Sequence, residues 1–215
     1  MRQTTLRLIA IPVVVTLAVT LLRLFGELQG WSRVWFNPAP GGPLAPIGIV
    51  WLTFVFGAYF AVKLVRSGEG PASPGRTAGL ALLAFAVFIA GSIATVAFRL
   101  DFFGRLVASF FLSGLTILIP ARSWPALFRT LLAYGYAARV PVAVIMAFAM
   151  AGNWGTHYDA GPPDLPPALG VAAKYIWIGL APQLIIWIAF TVQAGMIAGG
   201  IAAALASRRS ARAAA

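Results

Sequence analysis

The chain has 215 residues, of which 60% are hydrophobic and only 10% are charged, and its mean hydropathy is +0.89. Soluble domains average roughly 25% charged residues, so this composition excludes an ordinary soluble fold and predicts one all-α domain, residues 1–215, of membrane helices. The net charge of +11 does not indicate nucleic-acid binding, because the cations lie between apolar runs instead of forming one basic surface.

The first predicted span is residues 6–28, since about 20 apolar residues cross the hydrocarbon core of a bilayer as a helix. This run lacks the small-x-small cleavage motif of a signal peptide, so we expect it to be retained. Residues 29–45 follow with three prolines and an aromatic group of Trp31, Trp35 and Phe36. That composition is typical of a loop whose aromatic rings lie at the depth of the lipid headgroups.

Five further spans are predicted, each an apolar run bounded by turn-forming residues or cations: 46–64, 78–98, 106–120, 127–152 and 182–205. The apolar residues 168–180 before the last span include Lys174 and precede Pro182. We favour a short interfacial or re-entrant helix there, with one long kinked helix or two tight spans as alternatives. The sequence thus predicts a polytopic bundle of six transmembrane helices.

An even number of spans places both termini on the same side, and the positive-inside rule favours the cytoplasm for both. Ten of the 16 cations would then be cytoplasmic: Arg2, Arg7, Lys63, Arg66, Arg76, Arg122, Arg129, Arg208, Arg209 and Arg212. We therefore predict a multi-pass protein of the inner (cytoplasmic) membrane of a bacterium-like cell. Its expected partners are membrane lipids and an anionic small molecule, and not nucleic acid.

Arg139 lies near the middle of the predicted 127–152 span. An arginine at the bilayer midplane costs about 2.5 to 3.5 kcal/mol on insertion scales, and such residues usually face a bundle interior or an aqueous cavity. None of the five acidic residues is predicted at the same depth. Two interpretations are open: an anion site for carboxylate, phosphate or a lipid headgroup, or a structural arginine that bonds backbone carbonyls, Gln183 or Gln193.

The leading functional hypothesis is a small transporter or channel-like protein for an anionic or amphiphilic solute, with Arg139 as the anion-binding charge. Seven further residues are predicted to contribute to this site as polar lining or as a basic rim: Tyr134, Tyr136, Gln183, Gln193, Arg23, Arg99 and Arg105. Arg23 and Glu27 are four residues apart on one helix face, so the sequence favours an ion pair between them, with side chains that extend separately to the lipid headgroups as the alternative.

Gly195 and Gly199 form a GxxxG pattern among alanines in the last span. Small residues let helices approach closely in lipid, so this face fits either a homo-oligomer or packing within the bundle. Together with the small loops, it motivates a second hypothesis, a non-catalytic membrane subunit or assembly factor.

A third hypothesis is a membrane enzyme that acts on lipid or quinone at the outer face through His157, Asp159 and Arg105. The sequence has no Walker loop, Rossmann glycine pattern or HExxH motif, so we assign no catalytic residue. It also has no cysteine and a single histidine, too few ligands for a zinc site or for a haem with two histidine ligands. We therefore predict neither a metal nor a cofactor.

Overall fold

A computed structural model of the chain describes residues 5–40 and 46–213, with side chains as far as residue 207. It is 74% helical, and no strand occurs in the described ranges. The all-α prediction is therefore confirmed. Four of the ten cations predicted to be cytoplasmic lie outside the described part of the chain: Arg2 entirely, and the side chains of Arg208, Arg209 and Arg212.

The helices follow the apolar runs of the sequence. In chain order they are α1 (Thr5–Leu28), α2 (Leu52–Arg66), α3 (Pro74–Ala97), α4 (Phe102–Thr116), α5 (Leu118–Ala121), α6 (Pro125–Gly152), α7 (Val171–Lys174), α8 (Ala181–Leu184) and α9 (Ile186–Ala213). A π-helical segment, Tyr175–Leu180, lies between α7 and α8.

Five helical stretches are long and apolar enough to cross a membrane: Thr5–Leu28, Pro74–Ala97, Phe102–Ala121, Pro125–Gly152 and Val171–Ser207. The chain is therefore a multi-pass membrane protein. The second predicted span, 46–64, is not among these five. It corresponds to α2, which has only 15 residues because the chain bends and turns until Trp51. At 1.5 Å per residue, α2 measures about 22 Å, against roughly 30 Å of hydrocarbon.

The C-terminal apolar stretch is one helical run with an irregular centre, which we call the irregular helix (Val171–Ser207). The favoured prediction placed a separate interfacial helix at 168–180, and the structure instead has the alternative of one long helix. Pro182 explains the irregularity, because it has no N–H to offer the Ile178 carbonyl one turn before it. The helix widens into the π-helical segment at this point.

Helix α9 packs against α2, α3 and α6 and so occupies the centre of the bundle. Its backbone touches that of α2, since a Cβ on Gly57 would lie 2.5 Å from the Cα of Gly195. Gly195 and Gly199 are both buried in the chain, where added methyl groups would collide with Leu131 and Leu127 of α6. The GxxxG face is thus occupied by internal packing, and these two glycines offer no surface to a second copy.

The loop after α6, residues 153–170, folds back over the end of α1. Asn153 ends α6 in a left-handed conformation (φ 47°), and the Tyr158 hydroxyl donates to the Thr20 carbonyl at 3.1 Å. One turn earlier in α1, the hydroxyl of Thr16 lies 2.8 Å from the hydroxyl of Tyr134 and joins α1 to α6. These contacts hold α1, α6 and the loop around a common space.

Candidate functional site

A cavity of about 420 Å³ lies among α1, the segment before α2, α4, α6, the 153–170 loop and the irregular helix. Its volume falls within the roughly 300 to 1,000 Å³ that is usual for small-molecule sites. Two arginines line it, Arg139 from α6 and Arg23 from α1. The structure therefore places Arg139, predicted inside the membrane, and Arg23, predicted at the outer rim, at one partly open cavity.

Arg139 is only 5% exposed and has an incomplete set of partners. Its Nη1 donates to Gln183 Oε1 at 3.3 Å, and its Cζ lies 4.5 Å from the ring centre of Trp187 in a cation–π contact. A guanidinium has five N–H donors, and Gln183 is its one hydrogen-bond partner among the described residues. All five acidic residues are described: Glu27 pairs with Arg23 and Asp164 with Arg105, and none of the five pairs with Arg139.

Gln183 and Trp187 reach Arg139 because they are four residues apart and share one face of the irregular helix. The Gln183 amide nitrogen is 3.5 Å from the sulfur of Met146 on α6, which leaves the amide oxygen to accept from Arg139. The sequence predicted Gln183 as polar lining but missed Trp187. The available signal was its four-residue spacing from Gln183.

A second polar group at the cavity consists of Arg23, Glu27 and His157. Arg23 Nε donates to Glu27 Oε1 at 2.8 Å, which confirms the predicted ion pair. The backbone N–H of His157 donates to Glu27 Oε2 at 2.8 Å, and His157 Nδ1 lies 2.7 Å from Glu27 Oε1. The Glu27 side chain is fully buried. This carboxylate therefore joins α1 to a loop that is distant in sequence.

Burial and local hydrogen bonds shift the pKa values of three consecutive loop residues, His157, Tyr158 and Asp159. Burial lowers the pKa of His157, and the opposing effect of its hydrogen bond to Glu27 is smaller. Burial has the opposite effect on the pKa of Tyr158, which it raises, because the charged form of tyrosine is the deprotonated one. At Asp159 burial would raise the pKa, but hydrogen bonds from Thr156 and Gly155 together bring it below its ordinary value. His157 is thus neutral near pH 7 and donates through Nδ1–H to the Glu27 carboxylate.

Three of the four residues predicted as polar lining lie elsewhere on α6 and α9. Tyr134 is buried between α1 and α6, where its ring packs against Phe60. Gln193 donates to the Thr116 hydroxyl at 2.8 Å and is likewise outside the cavity lining. Tyr136 is 46% exposed on the outside of the bundle.

The predicted basic rim is not formed by Arg99 and Arg105. Arg99 is exposed, and Arg105 pairs with Asp164 and donates to the Leu100 carbonyl. Of the eight predicted site residues, the structure brings Arg139, Gln183 and Arg23 to the cavity.

The residues of the enzyme hypothesis have separate structural contacts. His157 is held by Glu27, Arg105 by Asp164, and the Asp159 carboxylate accepts bonds from Gly155 and Thr156 within its own loop. Within the described ranges, no group of three His, Cys, Asp or Glu side chains could hold a metal ion.

The arrangement is suited to binding an anion, because the charged guanidinium of Arg139 lies in a mostly apolar cavity and has N–H donors that no described residue accepts. No protein-family model matches the chain, and no curated protein or solved structure matches it either.

Proposed function

We propose that this protein is a small transporter or channel-like protein whose cavity binds an anionic or amphiphilic solute. Arg139 is the anion-binding charge, Gln183 positions its guanidinium, and Trp187 covers one face of it. The observation that carries the proposal is Arg139, a residue only 5% exposed that lines a 420 Å³ cavity and has a neutral amide as its hydrogen-bond partner among the described residues.

The electrostatics favour a ligand over a purely structural role for Arg139. A buried charge is stabilised mainly by an opposite charge with good geometry, and leaving it unpaired is strongly unfavourable. Gln183 contributes one long hydrogen bond and no charge. A bound carboxylate or similar oxyanion would accept from the remaining N–H donors and neutralise the guanidinium at the same time.

We further propose that α2 completes six crossings and that both termini are cytoplasmic, in the inner membrane of a bacterium-like cell. Support comes from the predicted enrichment of cations on the terminal side. In this orientation the cavity lies toward the opposite side, since Arg23 is near the end of α1 and His157 follows the end of α6.

The test compares Arg139→Gln with wild type in proteoliposomes of phosphatidylcholine. Binding and uptake of chloride, inorganic phosphate, octanoate and suberate are measured, together with the thermal stability of each variant. We expect at least one of these anions to bind wild type and to lose at least tenfold in affinity in Arg139→Gln. Arg33→Gln is the matched control, because Arg33 is exposed and does not line the cavity.

Binding of all four anions that is equal in wild type and Arg139→Gln, at equal thermal stability, would refute the proposal. Loss of stability without any anion binding to wild type would favour a purely structural arginine.

A further inference from the structure

The charges around the cavity sum to a single positive charge. Arg139 contributes one, while Arg23 is paired with Glu27 at 2.8 Å and adds nothing to the sum. His157, also at the cavity, is neutral when its Nδ1–H donates to Glu27, and Tyr158 is an uncharged phenol. The remaining ion pair near this end of the bundle, Arg105 with Asp164, is not part of the lining and is itself neutral in sum.

The other polar groups at the cavity are already hydrogen-bonded to the protein. The Thr20 hydroxyl donates to the Thr16 carbonyl at 2.9 Å, and the Tyr158 hydroxyl donates to the Thr20 carbonyl. Arg23 makes a second hydrogen bond, in which its Nη2 donates to the backbone carbonyl of Asn37 at 3.1 Å. Arg23 keeps further N–H donors, but its charge is neutralised by Glu27, so Arg139 is the cavity group with an unpaired positive charge.

The rest of the wall is aliphatic and aromatic. Its side chains come from α1, the segment before α2, α4, α6, the 153–170 loop and the irregular helix, and include Val19, Ile49, Phe102, Val142 and Ile178. Burial of apolar ligand surface against such a wall stabilises the complex.

From this charge sum and this wall, we infer that the cavity selects a monocarboxylate with an apolar body, with the carboxylate on Arg139 and the body against the aliphatic wall. The inference rests on the proposed function and narrows its ligand class. A dicarboxylate would bury a second charge without a free partner. A phosphate monoester carries about 1.5 to 2 negative charges at pH 7 and would do the same.

Trp187 supplies the readout, since its ring lies directly over the Arg139 guanidinium. The protein in phosphatidylcholine nanodiscs is titrated with octanoate, 1-octanol, suberate and inorganic phosphate while tryptophan fluorescence is recorded. Trp187→Phe identifies the part of the signal that comes from this ring. We expect octanoate to bind at least tenfold more tightly than each of the other three probes. We also expect Arg139→Gln to remove this advantage over 1-octanol.

Glu27→Gln provides a second variant that keeps the shape of the side chain and removes its charge. It leaves Arg23 unpaired and raises the charge sum at the cavity from one to two. We expect the ratio of suberate affinity to octanoate affinity to rise at least fivefold in this variant, and to stay unchanged in Glu69→Gln. Glu69 lies between α2 and α3 and does not line the cavity.

The outcomes separate the inference from the proposed function. If binding depends on Arg139 but suberate or phosphate binds as tightly as octanoate, or more tightly, the inference is overturned and the proposed function stands. An unchanged suberate to octanoate ratio in folded Glu27→Gln would also overturn it. Octanoate binding that is equal in wild type and Arg139→Gln would count against the monocarboxylate site itself.

Discussion

Replacing Glu27 with alanine tests whether the buried carboxylate holds α1 and the 153–170 loop together. The side chain is fully buried and accepts three close hydrogen bonds, from Arg23 Nε at 2.8 Å, His157 N at 2.8 Å and His157 Nδ1 at 2.7 Å. Its removal leaves the Arg23 guanidinium, with a side chain 9% exposed, without a counter-charge.

Breaking a buried ion pair by removing one partner costs about 3 to 5 kcal/mol. For a chain of this size, each kcal/mol lowers the Tm by about 2 to 4 °C, so we expect Glu27→Ala to lower the Tm by about 6 to 20 °C. The assay is thermal unfolding in a non-ionic detergent, followed by near-ultraviolet circular dichroism.

Glu69→Ala is the matched control, because the Glu69 side chain makes no hydrogen bond or ion pair in the described part of the chain. We expect its free energy of unfolding to stay within about 0.5 kcal/mol of wild type, as for most surface changes. Equal Tm values for Glu27→Ala and Glu69→Ala would show that the buried carboxylate does not hold the loop.

Three further predictions concern stability in the same assay. Burial lowers the pKa of His157 in the folded chain, whereas histidine in the unfolded chain has a pKa of about 6.5. Between these two pKa values the unfolded chain binds more protons than the folded chain. The free energy of unfolding should therefore fall as the pH decreases from about 6.5 toward the folded-state pKa. His157→Gln should flatten this dependence, and an unchanged slope would contradict the assignment. Gly57→Ala should lower the free energy of unfolding by about 1 to 3 kcal/mol, since its Cβ would lie 2.5 Å from the backbone of Gly195. Gly79→Ala, whose Cβ meets nothing within 4 Å, should be neutral or stabilising, and equal losses at both sites would refute the close contact. Ser113→Ala should raise the free energy of unfolding by up to about 1 kcal/mol, because the buried Ser113 Oγ has no hydrogen-bond partner in the described chain; a lower Tm would show that this hydroxyl has a partner.

Local sequence signals predicted the parts of the molecule that depend on short-range spacing. Apolar run lengths located the helices, and the four-residue spacing of Arg23 and Glu27 predicted their ion pair. Tyr134 and Tyr136 were both assigned to the site, but residues two apart on a helix do not share a face. Tyr134 is buried and Tyr136 is exposed, as that geometry requires.

Contacts between distant parts of the chain were beyond the reach of spacing arguments. His157 and Glu27 are 130 residues apart, and the sequence offered this histidine only as part of the enzyme hypothesis, because nothing local indicated its partner. Pro182 signalled a break, which the sequence placed between two separate pieces. In the structure the neighbouring turns absorb the missing hydrogen bond as a π-helical segment, and the helix continues.

The two cavity arginines differ in a way that bears on function. Arg23 lies near the end of α1 and has a carboxylate partner from its own helix, which is how a charged residue is usually stabilised in a bilayer. Arg139 lies inside α6 and has an amide and an aromatic ring instead. If its task were only to join α6 to the irregular helix, a neutral side chain that bonds Gln183 would do so without the insertion cost of a charge. The proposed anion site accounts for this charge, because an oxyanion in the cavity would neutralise the Arg139 guanidinium.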